Sequence, residues 1–513
     1  MHALDRERGR ATAEPSTLQM LYDTVEHHPD RTAIVFADEE ITWSALAERV
    51  ERLARGLSSL GIREGDRVAL VHANAPEFVT TFFAVTALGA VLVPLNPQYK
   101  KDELGYYFDH CEVRAVIAGE PHVPACQAAL AERRRTAMVV ATSGAPEGTV
   151  SFAALLNDHP AGRLAFPVGH LDAVYQYSSG STGRPKRVAR THEQCWWEAE
   201  NMTGTTKLVA DDRIFCAIPL FHTHAQGNCL LASARSGATL VILEEPNPLI
   251  IKRHRALEVL EQQRITVFPG VPFVFRLLAE LPGDARLPTL RLCFSAGTAL
   301  PQATIDAFER RFGIAVRQLY GCTEAGALTI NLDAEPSATA LSVGRPIARV
   351  RLQIVDDARR PVPAGEVGEI AISTPAMTRG YYQMEDHNRE VFRDGWFFTG
   401  DLGRLDAEGR LWITGRKKLF IEVAGNKVDP VEVEDVLATH PKVQEAVVVG
   451  IPGKVQGEEI MKAVVVATEP VDQKELIALC QERLALFKVP QVIEFRDEIP
   501  KSPLGKVLRK YLV

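Results

Sequence analysis

Residues Tyr177–Lys186 read YSSGSTGRPK and combine five hydroxyl side chains, two glycines and a terminal lysine. Glycines let a backbone approach an anion closely, hydroxyl and amide groups donate hydrogen bonds, and the lysine adds positive charge. Apolar Ala173 and Val174 precede the segment. We therefore expect a phosphate-binding loop that leaves a β-strand. Read alone, the segment also fits a flexible Ser/Gly linker.

The spacing within this segment differs from that of a Walker A loop. A Walker A loop needs four residues between its first glycine and a Gly-Lys-Ser/Thr triplet. Here only Ser181 and Thr182 separate Gly180 from Gly183, and Arg184 and Pro185 precede the lysine. The segment thus predicts a phosphate loop of another class.

Length and composition describe an ordinary globular protein of several domains. The chain has 513 residues, 46% apolar and 24% charged, with a formal net charge of -7. Length predicts more than one domain, and the acidic balance offers no basic face for nucleic acid. Eight scattered cysteines without a CxxC pair indicate reduced thiols of a cytoplasmic protein.

Two segments bear on targeting. Met1–Thr17 is charged and has no apolar core, which argues against a secretory signal. The longest apolar run, Val79–Leu95, contains Gly89 and Pro94 and is short for a bilayer span. We expect a buried helix that runs into a strand there, and no integral membrane association.

Most of the chain alternates short Val- and Ile-rich runs with helix-like segments, which predicts layered α/β structure. A hairpin is expected over 33–43, and helices over 44–60 and 300–312, with Thr42 or Ser44 capping the first helix. Further strand candidates are Val68–Val71, Val91–Val93, Ala115–Ala118, Ala137–Ala141, Leu240–Leu243, Val267–Pro269 and Leu292–Ser295.

The pattern changes from about Val343 to short strands with frequent Gly and Pro, typical of a small β-rich subdomain. A second domain of about a hundred residues is expected to follow Gly415–Lys418. Its predicted elements are a helix over 430–439, strands over 443–450 and 461–467, a helix over 473–484 and a strand over 492–495.

Four further motifs carry polar chemistry. The Tyr320–Glu324 segment sets a hydroxyl beside a carboxylate, and Gly400-Asp401 sets an acid after an aromatic strand. Gly415-Arg416 offers a fixed cation, and Lys506 lies near the end of the chain. Each also has a plain structural interpretation as a solvated turn, a hairpin closure or a surface charge.

Together and in this order, the motifs resemble those of the adenylate-forming superfamily, which contains acyl-CoA synthetases, firefly-type luciferases and peptide-synthetase adenylation domains. The likeness runs from about Thr32 to Lys510. It implies a large N-terminal domain, 1–417, of layered α/β subdomains plus a small β-barrel-like subdomain. A small mobile α+β C-terminal domain, 418–513, would follow as a lid carrying the catalytic lysine.

The resemblance implies that ATP activates a carboxylic acid as an acyl-adenylate with release of pyrophosphate, before transfer to the thiol of CoA. A carboxylate is a poor electrophile, and the site must supply cations and donors where negative charge gathers. The implied ATP-binding residues are Ser178, Ser179, Gly180, Ser181, Thr182, Gly183, Lys186, Gly297, Tyr320, Gly321, Thr323, Asp401 and Arg416.

Catalytic roles are implied for Lys506, which would reach the carboxylate and the α-phosphate, and for His222, Thr323 and Glu324. Glu324, with Thr182 as a second candidate, would hold Mg²⁺. Lys418 would be the hinge of the mobile domain. The implied acyl pocket comprises His222, Phe268, Gly270, Val271, Ala296, Gly297, Cys322 and Ala325, and the implied CoA route comprises His222, Ala424 and Gly425.

Three positions depart from the pattern of the superfamily. Arg187 replaces a common glycine and either adds charge near the phosphates or points to solvent. Ala424-Gly425 replaces the usual Gly-Gly of the pantetheine route. Phe221-His222 stands where amino-acid-activating relatives place an aspartate, which argues against an α-amino acid substrate. His224 is the alternative to His222 as the functional histidine, and a backbone-bonded structural role is the plain interpretation of both.

The sequence is compatible with several functions. The first is an acyl-CoA ligase acting on a small-molecule carboxylic acid that is aliphatic, aryl or polycyclic. The second is a ligase that delivers its adenylate to the phosphopantetheine of a carrier protein. The others are a catalytically silent binder of nucleotide or acyl-adenylate and an unrelated ATPase. No sequence feature indicates an oligomeric state.

Overall fold

A computed structural model of the chain describes residues 15–178, 185–244, 249–417, 421–423, 426–428, 430–453, 459–484, 486–502 and 507–513. These residues form two compact units. The first comprises the described residues up to Ser178 with Pro185–Arg351 and Ser373–Trp396. The second comprises Leu352–Ile372 and the described residues from Phe397 to Val513. The predicted domain boundary at 417/418 stays a prediction.

The phosphate loop joins the last two strands at one edge of a seven-stranded sheet in the first unit. The sheet's neighbouring strands are parallel, except for the two strands joined by the loop, which are antiparallel. In spatial order they are Val150–Ser151, Met138–Ala141, Ala115–Ala118, Arg67–Val71, Val91–Leu95, Asp172–Ser178 and Lys186–Thr191.

A nine-stranded sheet in the same unit carries the other N-terminal motifs. Its central strands are parallel and both of its ends are antiparallel. In spatial order the strands are Arg345–Pro346, Gly326–Ile330, Arg317–Cys322, Leu292–Ser295, Val267–Gly270, Arg213–Cys216, Thr239–Ile242, Thr32–Phe36 and Glu39–Thr42.

The helices of the first unit confirm the predicted α/β alternation. Thr42 caps its helix as predicted, because its side chain accepts a hydrogen bond from the amide of Ala45. The helices are Thr17–His27, Trp43–Ser59, Pro76–Ala87, Lys101–Cys111, Val123–Glu132, Phe152–Asn157, His192–Thr206, Thr223–Ala225, the π-helix Gln226–Leu231, Ala232–Ser236, Leu249–Gln262, Pro272–Ala279, Gln302–Phe312 and Glu385–Val391.

The long apolar run is a core helix and a strand, as predicted. Every residue of helix Pro76–Ala87 except its N-terminal Glu77 is buried, and strand Val91–Leu95 follows it. Burial on all sides explains why the run lacks a polar face. Within the described ranges, no helix has the length and apolar character needed to cross a bilayer.

The second unit contains the predicted small β structure and the predicted C-terminal elements. The former is built on strands Arg351–Val355, Gly368–Ser373, Trp396–Leu405 and Leu411–Arg416. A buried apolar cluster then packs the C-terminal elements together. The predicted elements are observed as helix Pro430–Ala438, strands Val443–Pro452 and Glu459–Ala467, helix Gln473–Arg483 and strand Val492–Phe495. Strands Ile421–Val423 and Asn426–Val428 precede them and were not predicted.

Candidate active site

The two ends of the phosphate loop lie side by side. Strand Asp172–Ser178 pairs antiparallel with Lys186–Thr191, and Ser178 is the register partner of Lys186. The loop therefore leaves and re-enters the sheet at neighbouring positions. The remaining predicted loop residues, Ser179, Gly180, Ser181, Thr182 and Gly183, lie outside the described residues.

A partly buried polar contact fixes the entry strand of the loop. The Tyr177 hydroxyl lies 2.7 Å from His110 Nδ1 and 3.0 Å from Cys111 Sγ. Burial raises the pKa of Tyr177 and lowers that of His110, so the tyrosine stays a neutral phenol. These contacts tie the residue before Ser178 to the C-terminal end of helix Lys101–Cys111.

The exit strand is fixed by Arg187, and of the two alternatives for this residue, the one in which it points to solvent is wrong. Arg187 is only 7% exposed. Its guanidinium lies over the rings of Tyr175, at 4.5 Å, and Tyr382, at 3.1 Å, and donates to the His110 carbonyl at 2.9 Å. Aromatic rings on two sides attract and desolvate the cation, which holds it within the protein.

Lys186 contacts two side chains that the sequence did not single out. Its Nζ donates to His387 Nε2 at 2.9 Å and lies 4.6 Å from the centre of the Tyr381 ring. His387 stacks on the same ring, with centroids 5.5 Å apart. Since the lysine is the donor, Nε2 of His387 acts as the acceptor, and Nδ1 faces Glu390 at 3.3 Å.

Glu324 lies in the turn between strands Arg317–Cys322 and Gly326–Ile330. It is 7% exposed, and its Oε1 accepts a 2.6 Å hydrogen bond from the Tyr381 hydroxyl. Its backbone carbonyl accepts from the Thr378 amide at 2.7 Å. The structure thus brings Glu324, Lys186 and Tyr381 together, as Tyr381 contacts both of the others.

The strand before Glu324 carries the predicted adenine-side residues. Tyr320 is 8% exposed, and Gly321 is exposed. A Cβ on Gly321 would lie 2.5 Å from the Gly326 carbonyl oxygen, so only glycine fits this close hairpin. Cys322 is partly exposed, whereas the other seven cysteines are buried, and all eight are free thiols.

The two candidate histidines, His222 and His224, have different hydrogen-bond partners. His222 caps a short helix, because its Nδ1 accepts from the His224 amide at 3.2 Å. His224 Nε2 donates to the Gly270 carbonyl at 3.0 Å, and its Nδ1 accepts from Asn228 at 2.8 Å. Burial lowers the pKa of His224 to about 4, so that ring stays neutral. Both of its nitrogens have structural partners.

The predicted acyl-pocket residues range from exposed to fully buried. Gly297 is exposed with a φ of +93°, and Cys322 is partly exposed. Phe268 is fully buried between the rings of Phe215 and Phe275, which puts its side chain in the core. The other buried members are Gly270, Val271, Ala296 and Ala325.

In the second unit, the predicted ribose-binding residues form a pair. Asp401 and Arg416 are register partners in adjacent antiparallel strands, and Arg416 Nε donates to Asp401 Oδ1. Asp401 is 6% exposed, and its amide donates to Thr399 Oγ1 at 3.1 Å. The predicted Lys506, Lys418, Ala424 and Gly425 lie outside the described residues.

The residues around Glu324 fit a magnesium ion bound together with phosphates. Mg²⁺ prefers carboxylate oxygens and usually takes its other ligands from water and substrate phosphates. Glu324 supplies such an oxygen donor, and Tyr381 fixes its orientation. Across the described ranges, no three or more His, Cys, Asp or Glu cluster as a protein-only metal site.

Comparison with known proteins covers both parts of the chain. The family model of AMP-binding enzymes matches residues 21–382, and that of the AMP-binding enzyme C-terminal domain matches 432–506. A feruloyl-CoA synthase of Amycolatopsis sp is 35% identical, covering 94% of this chain and 95% of the relative. An indoleacetate–CoA ligase of Aromatoleum aromaticum is 33% identical, covering 93% and 94%.

Solved structures agree with this likeness. The anthranilate CoA ligase AuaEII, in complex with anthranoyl-AMP, matches with a TM-score of 0.85 and 28% identity, covering 98% of this chain and 97% of the other. ATP-bound MatB from Rhodopseudomonas palustris matches with a TM-score of 0.87 and 26% identity, covering 98% of each chain.

Proposed function

This chain belongs to the family of AMP-binding enzymes, and from that premise we propose how its residues divide the reaction of an acyl-CoA ligase. The enzyme uses ATP to activate a carboxylic acid as an acyl-adenylate and transfers the acyl group to CoA. The observation that carries the proposed roles is the contact of Tyr381 with both Glu324 and Lys186.

We assign the phosphates of ATP to the loop Ser178–Lys186. The Tyr177 and Arg187 contacts fix the strands on either side of the loop before ATP arrives. Lys186 adds positive charge at the exit of the loop. In this proposal Lys186 exchanges its hydrogen bond with His387 for phosphate oxygens.

Glu324 would hold Mg²⁺, with Thr182 as a further candidate. When bound, the ion neutralises charge on the phosphate oxygens. Tyr381 orients the Glu324 carboxylate by donating to one of its oxygens. Thr323, beside it, would donate to the α-phosphate, and Tyr320 would stack on adenine.

Asp401 and Arg416 are proposed to bind the ribose. The carboxylate of Asp401 can accept hydrogen bonds from two ribose hydroxyls, and Arg416 already fixes its orientation. His222 is proposed to act where the acyl pocket meets the thiol route formed with Ala424 and Gly425. We further propose a cytoplasmic location, where both ATP and CoA are available.

We propose that the acid is aromatic. The names of two relatives at 35% and 33% identity refer to feruloyl and indoleacetate groups, both of which contain aromatic rings. Gly297 and Cys322 are small residues at exposed or partly exposed positions of the proposed pocket, and their small size leaves room for a flat ring. A panel of aryl, aliphatic and polycyclic acids, scored by pyrophosphate release, tests this. Preference for an aliphatic chain would contradict it.

The lysine assigned to the first half-reaction is Lys506. In the variant Lys506→Ala, we expect carboxylate-dependent pyrophosphate exchange to be lost, whereas thioester formation from supplied acyl-adenylate should persist. The reason is that its charge is needed only while the carboxylate meets the α-phosphate. Single-turnover assays of each half-reaction measure this, and equal loss of both would contradict the role.

A further inference from the structure

A buried ion pair lies behind the Thr323–Glu324 turn. Arg190, in strand Lys186–Thr191, is 1% exposed, and Glu198, in helix His192–Thr206, is 5% exposed. Arg190 Nη2 lies 2.9 Å from Glu198 Oε2. Strand Lys186–Thr191 follows the phosphate loop directly, and Arg190 lies four residues after Lys186 in it.

The arginine also contacts the turn itself. Its Nη1 donates to the Thr323 carbonyl at 3.4 Å, and its Nη2 reaches the Gln194 carbonyl at 3.5 Å. The planar guanidinium therefore joins the backbone beside Glu324 to the Glu198 carboxylate. A lysine has a single charged nitrogen and cannot span both partners in this way.

The carboxylate fills the space above two glycines. A Cβ added to Gly227 would lie 2.0 Å from Glu198 Oε1, and one added to Gly326 would lie 2.3 Å from the same atom. Gly227 belongs to the π-helix that follows His222, and Gly326 begins the strand after Glu324. Glu198 thus packs directly on the backbone of both functional segments.

Stability alone does not account for a charge pair at this position. Burying two charges is costly, and a well-packed apolar pair is often as stable or more stable. Burial raises the pKa of Glu198, although Arg190 opposes the shift. Glu198 Oε1 has no hydrogen-bond partner within the part of the chain that the structure describes. Burying the Arg190–Glu198 pair therefore carries a desolvation cost.

We propose that Arg190 and Glu198 are positioning residues of the adenylation step. They fix the backbone of Thr323 and Gly326 against the strand of the phosphate loop and against the π-helix after His222. Thr323 and Glu324 are thereby held in place for the phosphates of ATP. This inference rests on the functions proposed above for those two residues.

The test compares stability with catalysis in three variants: Arg190→Lys, Glu198→Gln and the double variant Arg190→Met/Glu198→Gln. The double variant removes both charges, and we expect its unfolding midpoint to stay near that of the wild type. In pyrophosphate exchange, its kcat should fall by about tenfold while the KM values for acid and ATP change by less than about threefold. Arg190→Lys should show the same fall in kcat with similarly small changes in the KM values.

A matched control lies on the same helix. Glu200 pairs with Arg235 at 2.7 Å, and both side chains are partly exposed. The variant Arg235→Met/Glu200→Gln should leave kcat within about twofold of the wild type, because this pair does not contact the Thr323 turn.

Two outcomes would overturn the inference. One is a double variant that keeps the stability and the kcat of the wild type. The other is an Arg190→Lys variant with unchanged kcat, which also serves if the double variant does not fold. A wild-type enzyme without acid-dependent exchange would instead contradict the proposed function.

Discussion

Tyr381 connects the two charged groups proposed to bind ATP and its metal. Its hydroxyl donates to Glu324 Oε1 at 2.6 Å, while its ring lies beneath Lys186 and stacks on His387. The hydroxyl and the ring thus have separate partners. A substitution that removes only the hydroxyl isolates its effect on Glu324.

In Tyr381→Phe we expect the stabilisation of the transition state to fall by about 1.5–3 kcal/mol, because the buried Glu324 carboxylate loses a hydrogen bond. This corresponds to about a tenfold or greater fall in kcat/KM at limiting magnesium. Pyrophosphate exchange measured against Mg²⁺ concentration checks it. Tyr382→Phe is the control, because it keeps the ring on Arg187 and loses only a hydroxyl bonded to Gln383. Equal effects of the two variants would contradict the role of Tyr381.

His224 makes folding sensitive to acid. Its pKa is lowered from 6.5 to about 4 by burial, so the folded protein resists protonation there. Below pH 6.5 the unfolded chain binds a proton that the folded chain does not. The free energy of unfolding should therefore fall from pH 6.5 to about 4 by roughly 3 kcal/mol from this residue.

The variant His224→Gln should remove this contribution, since glutamine does not titrate. Its free energy of unfolding should approach that of the wild type as pH falls from 7 to 4. Urea unfolding at several pH values measures the difference. A difference that stays constant across this range would contradict the assignment.

At the scale of elements, the strand pair around the phosphate loop is fixed at both ends. Tyr177 contacts His110 and Cys111 before the loop, and Arg187 contacts Tyr175, Tyr382 and the His110 carbonyl after it. Helix Lys101–Cys111 supplies a partner to each side. This helix thus anchors the strands on both sides of the loop, although it carries none of the motif residues.

In Arg187→Met we expect about 2 kcal/mol of lost stability, because a desolvated cation is removed from two aromatic rings. The KM for ATP should also rise, because the exit strand loses its anchor. Urea unfolding and ATP titration of pyrophosphate exchange measure the two effects. Arg349→Met is the control, because Arg349 lies 5.0 Å from the Trp197 ring centroid and its side chain is 47% exposed. A change no larger than in this control would contradict the proposed anchoring.

At the scale of the whole molecule, the motifs belong to two compact units. Lys186, Tyr320 and Glu324 lie in the first unit, and Asp401 and Arg416 lie in the second. The proposed hinge, Lys418, follows Arg416 closely in sequence. We propose that rotation about this hinge serves the two half-reactions, which have different needs.

Replacing Lys418 with proline tests this rotation, because proline fixes φ near −65° and removes the backbone donor. In Lys418→Pro we expect pyrophosphate exchange to persist while thioester formation from acyl-adenylate and CoA falls by about tenfold or more. Lys418→Ala is the control, because it removes the charge without restricting φ. Equal loss in both variants would contradict the hinge.

Local sequence determined much of the secondary structure. The hairpin, the Thr42 cap, the helix over 302–312 and the C-terminal strands follow from periodicity and turn residues within a few positions of one another. The ordered motifs also identified the family, which the comparisons confirm. Both kinds of information are carried by neighbouring residues or by their order along the chain.

Only the tertiary structure decided which side chains meet. Tyr381 reaches Glu324 across 57 positions, and His387 reaches Lys186 across 201. The burial of Arg187, the Arg190–Glu198 pair and the packing of Glu198 on two glycines likewise depend on how strands and helices pack. Periodicity describes one element at a time, whereas these contacts join separate elements. The sequence therefore predicted a phosphate loop and its chemistry, and the packing of the fold determined what holds the strands beside that loop and the Glu324 turn in place.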